Sequence, residues 1–244
     1  MATIWIWWSF ALGGYPAAGQ EKPVTIHVRI QSASSAKGEY APGPGSDASD
    51  AVVWLKSLDP PSVKPLSSEQ PDKRLQVIQK NKSFQPHVTV LRVGSVVDFP
   101  NRDPFFHNVF SLFNGKRFDL GLYEAGATNS VRFDHLGVSY LFCNIHPQMS
   151  AVVVAVDTTY FGISDKAGNI TIGSVPNGKY ELHIWYERSL PEALTELTRT
   201  VHVSPDSRDL GTIVVPQDPA FAPTHKNKYG QDYDPPPKQG YPQP

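Results

Sequence analysis

The sequence predicts an all-β protein made of two β-sandwiches and ending in a disordered, proline-rich tail. Three observations lead there. Short runs of Val, Ile, Phe and Tyr recur along the chain, and Pro 23 and Gly 18 supply frequent turns between them. Several runs alternate apolar and polar residues, as in Val24-Thr25-Ile26-His27-Val28-Arg29-Ile30, which is the period of a half-buried strand. Residues 216–244 are instead dense in Pro, Gln, Tyr and Lys, with Asp234-Pro235-Pro236-Pro237 among them, and cannot assemble a core. With 244 residues, 40% of them hydrophobic, the chain has room for one or two domains.

Taken in order, residues 1–19 hold the apolar run Ile4–Leu12 and then the small residues Ala17-Ala18-Gly19. This is the pattern of an export signal without its positive leader, with cleavage expected after Gly19. The run is too short to span a bilayer, so no transmembrane span is expected in the mature chain. Residues 24–30 form the first strand, with His27 on its polar face. Residues 31–50 are rich in Ser, Gly, Ala and Pro and predict a long loop, and Asp50–Leu55 predicts a second strand. Two strands bury too little to stand alone, so they must pack on something later in the chain.

Strand signals crowd together from residue 76 to 156. Gln76–Gln79, His87–Val93, Val96–Pro100, His107–Phe113, Ser130–Phe133 and Val138–Cys143 are predicted strands. Ala151–Val156 is nearly continuous in apolar residues and suits a buried strand. Alternation places Ser139, Leu141 and Cys143 on one face of their strand and Val138, Tyr140 and Phe142 on the other. The cysteine therefore emerges at a strand end, where a tight loop can fold later residues back beside it.

That loop carries the chemistry. Cys143-Asn144-Ile145-His146-Pro147-Gln148-Met149 contains the only cysteine and the only methionine besides Met1. In an oxidising compartment an unpaired cysteine is a bridge to another chain, a reactive thiol or a ligand. A buried lone cysteine is often only a small hydrophobe, but His146 and Met149 at regular three-residue spacing favour a ligand. Thiolate, imidazole and thioether are donors that copper prefers. Two His, one Cys and a weak axial Met describe an electron-transfer copper centre. The loop supplies three of those donors, and His107 is the candidate for the fourth.

Residues 76–156 resemble a cupredoxin of the plastocyanin and amicyanin type. The resemblance rests on Val93-Gly94-Ser95-Val96-Val97-Asp98-Phe99, then Asn101 and Asp103, then His107-Asn108-Val109, then Tyr140-x-Phe142-Cys143-x-x-His146-x-x-Met149. The two residues between His146 and Met149 are similar to amicyanin's short loop. Ser150-Ala151 stands where the family often has a glycine. The resemblance implies a Greek-key β-sandwich holding one type 1 copper through His107, Cys143, His146 and Met149. It also implies that Asn108 hydrogen-bonds around the Cys143 loop and holds it. His146, flanked by Ile145 and Pro147, is then the expected electron port. Phe105 and Phe106 are either an apolar docking patch beside it or core.

Beyond residue 157, Ile163–Ile172 predicts a hairpin with a Gly168 turn, and Val175–Trp185 a turn leading into an alternating strand. With Asp165-x-x-Gly168 and Pro176-x-Gly178-x-Tyr180-x-Leu182, these residues resemble a carboxypeptidase-regulatory-like β-sandwich, an Ig-like fold. Residues 22–57 then join 157–215 in a second sandwich, with the cupredoxin-like domain inserted between them. The alternative is that 22–57 extend the sheets of the cupredoxin-like domain.

A net charge of −1 without a basic stripe gives no support to nucleic acid binding or to a polybasic membrane contact. No His-Glu-x-x-His, Gly-x-Ser-x-Gly or Walker pattern supports an enzyme. The other histidines fit bland roles: His87 structural, His135 and His225 solvated, His183 and His202 outward-facing. The expectation is a periplasmic or extracellular, non-enzymatic electron carrier that meets redox partner proteins, with cell-surface or glycan contact through the second sandwich. A copper delivery or storage protein, and an adhesion or carbohydrate-binding sandwich, are the alternatives.

Overall fold

The computed structural model describes residues 24–36, 39–42, 47–59, 74–112, 114–222 and 225–233. The expected export signal at 1–19 and the proline run at 235–237 lie outside these residues. The chain opens with β1 (Val24–Ala36), β2 (Glu39–Pro42) and β3 (Val52–Ser57). Next come β4 (Leu75–Gln76), β5 (Ile78–Gln79), β6 (Phe84–Gln85), β7 (Val88–Arg92) and β8 (Val96–Pro100). They are followed by β9 (His107–Ser111), β10 (Phe118–Tyr123), β11 (Thr128–Arg132), β12 (Gly137–Phe142) and β13 (Ser150–Val156). The last run is β14 (Phe161–Ile163), β15 (Asn169–Val175), β16 (Gly178–Trp185), α1 (Pro191–Glu196), β17 (Arg199–Val203) and β18 (Asp209–Pro216).

The middle of the chain folds into two sheets, ordered β10-β9-β12-β13-β7 and β11-β8-β4. Between them lies a core of Leu91, Val97, Phe99, Val109, Phe133, Leu141 and Val153, which also takes in Cys143 and Met149. The flanking segments make two further sheets, β15-β1-β18 and β14-β3-β16-β17. Here β1 runs antiparallel to β15 and parallel to β18, and β3 runs antiparallel to both β14 and β16. The fold is all-β, with sandwich-like packing and, among the described residues, one short helix.

The two pairs of sheets meet along β13. Alternation sends Ala151, Val153 and Ala155 into the core that contains Cys143, and Val152, Val154 and Val156 into the other core. That second core also holds Val88 and Val90 of β7, together with Val52, Leu55, Leu182, Ile184 and Trp185. An uninterrupted apolar run at 151–156 is what a strand buried on both faces requires. A cross-link supports the junction, since His87 Nε2 lies 2.6 Å from Glu187 Oε2, just beyond β16.

Three sequence expectations change. Residues 163–172 are not a hairpin: β14 pairs with β3 while β15 pairs with β1, so the Asp165–Gly168 turn carries the chain from one sheet to the facing one. Gly168 is required there, because a Cβ would lie 1.9 Å from the Ile30 carbonyl oxygen and φ is +79°. Residues 31–42 are not loop throughout, because β1 continues to Ala36 and pairs antiparallel with β2. Their ladder is made by the backbone, which a Ser- and Ala-rich stretch does not advertise. Strand β10 was also not expected. Its Asp119 and Gly121 blur the alternation, and the register slips between Asp119 and Leu122.

Candidate metal centre

Three ligand-type side chains converge at one end of the β10-β9-β12-β13-β7 sheet. His107 opens β9, and Cys143 follows the last residue of β12. Phe142 lies opposite Phe110 in the antiparallel ladder, which sets Cys143 and Asn144 beside the start of β9. The loop then closes on itself: the Met149 amide donates to the His146 carbonyl at 3.0 Å, and the Cys143 amide to the Met149 carbonyl at 3.3 Å. This return brings His146 back over Cys143 before β13 begins.

Cys143 Sγ lies 3.9 Å from His107 Nδ1 and 3.6 Å from His146 Nδ1, and the two Nδ1 atoms are 3.1 Å apart. These separations can be compared with what one shared metal requires. With bonds of about 2.3 Å to sulfur and about 2.0 Å to nitrogen, spread at about 120°, the S–N separation is about 3.7 Å and N–N about 3.5 Å. The sulfur distances straddle that value, and the nitrogen pair is drawn closer. The arrangement fits a trigonal ion between three donors. His107, Cys143 and Met149 have no exposed surface, and His146 is half-buried. Met149 packs in the same core as Cys143, directly after the loop that it closes.

With Nδ1 of His107 turned to the cluster, its Nε2 carries the proton and donates to Asp103 Oδ2 at 2.8 Å. The carboxylate is fixed in turn. The Asn81 amide donates to Oδ1 at 2.7 Å, the Lys82 amide to Oδ2 at 2.9 Å, and the Asp103 amide to Asn101 Oδ1 at 3.0 Å. Asn81 and Lys82 form the two-residue turn of the β5–β6 hairpin, with φ of 55° and 52°. Such a turn points successive N–H groups to one side, where an anion can sit. Burial pushes the Asp103 carboxyl up, but the Lys82 amide, His107 and the Asn81 amide outweigh it and hold it below its ordinary value. Burial first, and the neighbouring His107 second, lower the pKa of His146. Both effects favour the neutral ring, whose lone pair can ligate.

Asn108 holds the cysteine loop. Its Nδ2 donates to Asp119 Oδ1 at 2.7 Å and to the Gly121 carbonyl at 2.9 Å, while its Oδ1 accepts from the Asn144 amide at 3.3 Å. The two phenylalanines divide. The Phe105 ring packs against both histidine rings, at centroid distances of 5.2 Å to His107 and 5.6 Å to His146, with the Lys82 ammonium 5.5 Å from its centroid. Phe106 is 55% exposed and Ile145, which precedes His146 in the loop, 42%.

His225 is not solvated as the sequence suggested. Its ring stacks on Phe142 at 4.1 Å with an interplanar angle of 21°, and burial lowers its pKa. Residues 225–233 lie against the Cys143 loop, where the Tyr233 hydroxyl donates to the Cys143 carbonyl at 2.7 Å. The remaining histidines stand apart from the cluster. His87 bonds to Ser150 and Glu187, His135 to Asp134, and His183 stacks on Trp54. Asp103 could have been suspected from its place four residues before His107. Nothing local in the sequence points to Tyr233.

No protein-family model matches this chain, and no curated protein matches it. Among solved structures it is similar to a purple cupredoxin from Nitrosopumilus maritimus, with 24% identity over 34% of this chain and 99% of that one, at a TM-score of 0.31. It is also similar to amicyanin from Paracoccus versutus, with 20% identity over 36% and 86% of the two chains, at a TM-score of 0.30. A copper-containing nitrite reductase from Thermus scotoductus SA-01 is 23% identical over 35% of this chain, at a TM-score of 0.33. This chain spans 23% of the reductase's length. Likenesses this low add nothing to the geometry of the cluster. Among the described residues no helix is long and apolar enough to cross a membrane.

Proposed function

We propose that this chain is an exported electron carrier that binds one type 1 copper through His107, Cys143, His146 and Met149. The observation that carries the reading is the convergence of Cys143 Sγ and the two Nδ1 atoms at separations suited to a trigonal ion, with all other polar needs of His107 met by Asp103. The soft donor set favours copper over harder ions, and the buried thioether of Met149 suits a weak axial position. Copper bound in this way supplies one-electron exchange between Cu(I) and Cu(II).

The residues around it have separable tasks. Asp103 and Asn108 fix the ring of His107 and the backbone after Cys143, so little has to move when the site's charge changes. The core around Cys143 and Met149 excludes water. His146 offers the accessible edge, and the exposed Phe106 and Ile145 beside it suit a redox partner protein that docks through a small apolar patch. Residues 22–57 and 157–215 are read as a second domain whose role is contact with a cell surface or glycan.

The test is to load residues 20–244 with Cu(II) and record visible absorption and EPR beside a Cys143→Ser control. An intense thiolate-to-copper band and narrow copper hyperfine splitting, both absent from the control, are expected. A colourless protein that binds copper would point to delivery or storage instead, and one that binds none would overturn the copper reading altogether.

A further inference from the structure

The C-terminal segment, separated from the metal loop by some eighty residues of sequence, makes contacts that a loose tail has no reason to make. Lys228 uses two of its groups. Its amide donates to Asn144 Oδ1 at 3.0 Å, and its ammonium reaches Asp119 Oδ2 at 2.9 Å. Asp119 accepts from Asn108 through its other oxygen, and Asn108 accepts from the Asn144 amide. The result is a closed ring of hydrogen bonds, Lys228 to Asp119 to Asn108 to Asn144 and back to Lys228. Beside it, Tyr233 donates to the Cys143 carbonyl, and its ring stands edge-on to His225 at 5.3 Å while His225 covers Phe142. The segment holds its own shape through a turn in which the Tyr229 and Gln231 amides donate to Asn227 Oδ1, at 2.9 and 3.0 Å.

We infer that residues 225–233 are a working part of the metal site, in which Tyr233 and Lys228 position Cys143 and Asn144. This rests on the function proposed above and assigns the strap a role in it. Three consequences follow from the contacts. The Cys143 carbonyl and the Asn144 amide are the two polar groups of the peptide unit that follows the cysteine, and both are engaged, so that unit cannot swing away from the ion. The Phe142 ring is covered by His225, which keeps solvent off the residue that precedes the cysteine. The Tyr233 O–H dipole and the Lys228 charge both present positive potential towards the cysteine loop, which favours the lower charge state of a bound copper. Outer contacts of this kind are worth about tenfold in metal affinity when removed.

The experiment uses the full chain with Tyr233→Phe/His225→Ala and, separately, Lys228→Met, with Lys228→Arg as the conservative control. Release of Cu(I) to a chelator is expected to be about tenfold faster in Tyr233→Phe/His225→Ala and in Lys228→Met. The reduction potential is expected to fall in both, which a purely structural strap would not cause, and Lys228→Arg is expected to restore wild-type behaviour. Wild-type release rates and potentials in both variants would overturn the inference. The failure of the copper reading looks different, because the wild-type protein itself would then show no blue band. In that event hydrogen exchange of the Cys143 and Asn144 amides in the metal-free protein decides. Faster exchange in the variants supports the strap, and equal exchange overturns it.

Discussion

A buried carboxylate survives only where donors replace the water it has lost, and Asp103 has three of them: two turn amides and the His107 ring. Its negative charge faces an imidazole that would become more positive on oxidation of a copper held there as proposed above. Asp103 therefore favours the oxidised state, and Asp103→Asn is expected to raise the reduction potential. Outer partners of metal-bound histidines are worth about tenfold, which for one electron is about 59 mV, to be read by a potentiometric titration of the blue band. Asp98→Asn is the matched control, since Asp98 is also a buried carboxylate but bonds to Ser130 and Arg74 instead. An equal rise in both variants would assign the effect to lost buried charge in general. Asn108→Ala removes the acceptor of the Asn144 amide and two donors, and a weakening of copper binding by about tenfold or more is expected in an equilibrium titration against a chelator. At this scale the loop that sets His146 beside Cys143 was legible in the sequence, because the donor-type side chains lie within seven residues and the spacing is itself the signal. His107 was legible because it begins a strand. The carboxylate behind it was named but given no task, since that depends on which ring nitrogen faces the cluster and on a left-handed turn some twenty residues earlier.

Strand β13 shows how one element can belong to two cores. Val153 points among Cys143, Met149 and Leu141, and Val154 among Val52, Leu182 and Ile184. Truncating either to Ala removes two methylene-sized groups from a filled space, with an expected cost of about 2 kcal/mol by urea denaturation. The two variants should part in colour. Val153→Ala loosens the packing beneath the thiolate and is expected to alter the copper spectrum, whereas Val154→Ala is expected to leave it unchanged. A spectral change in Val154→Ala alone would mean that the site is sensed from the other core. The buried character of this strand was readable from its unbroken apolar run, but the identity of its second neighbour was not. The Asp165–Gly168 turn makes the same point. A glycine turn between two apolar runs looks alike whether the strands pair with each other or cross to facing sheets, and the close approach to Ile30 that decides the matter comes from more than a hundred residues away. The tail illustrates a different limit. Its composition cannot build a core, yet His225 and Tyr233 need only a surface to rest on, and Phe142 provides one.

At the scale of the whole molecule, the two halves are joined by the shared apolar core and by a charged link across it, the His87–Glu187 pair. His87 precedes β7 in the sandwich that carries the His107–Cys143–His146 cluster, with Nδ1 on the Ser150 carbonyl at 3.2 Å and Nε2 on Glu187 at 2.6 Å. Ser150 is the residue after Met149, so the link also ties down the exit of the Cys143–Met149 loop. The Glu187 hydrogen bond is the main reason that the His87 pKa is raised; burial opposes it, and the charges of Glu187 and Asp50 and the Ser150 carbonyl add to it. In the unfolded chain the ring titrates at about 6.5. A folded value above that means folding favours the protonated ring. The stabilisation is therefore fully present below about pH 6.5, so long as Glu187 is ionised, and is lost as the pH rises through the folded value. His87 is 38% exposed at its side chain, and solvent screening keeps the contribution small. Glu187→Gln removes the charge while keeping an acceptor. The expected outcome is a gap in urea midpoint between wild type and Glu187→Gln that is wider at pH 5.5 than at pH 9. A gap that is the same at both would mean the neutral hydrogen bond, not the ion pair, joins the halves. Because Val88, Val90, Val152 and Val154 lie in the core shared with Val52 and Ile184, loss of the link is also expected to leave a single cooperative transition. Two resolved transitions in Glu187→Gln at pH 9 would instead show that the apolar contact alone does not hold the sandwiches together, and that the His87–Glu187 pair is what makes them fold as one.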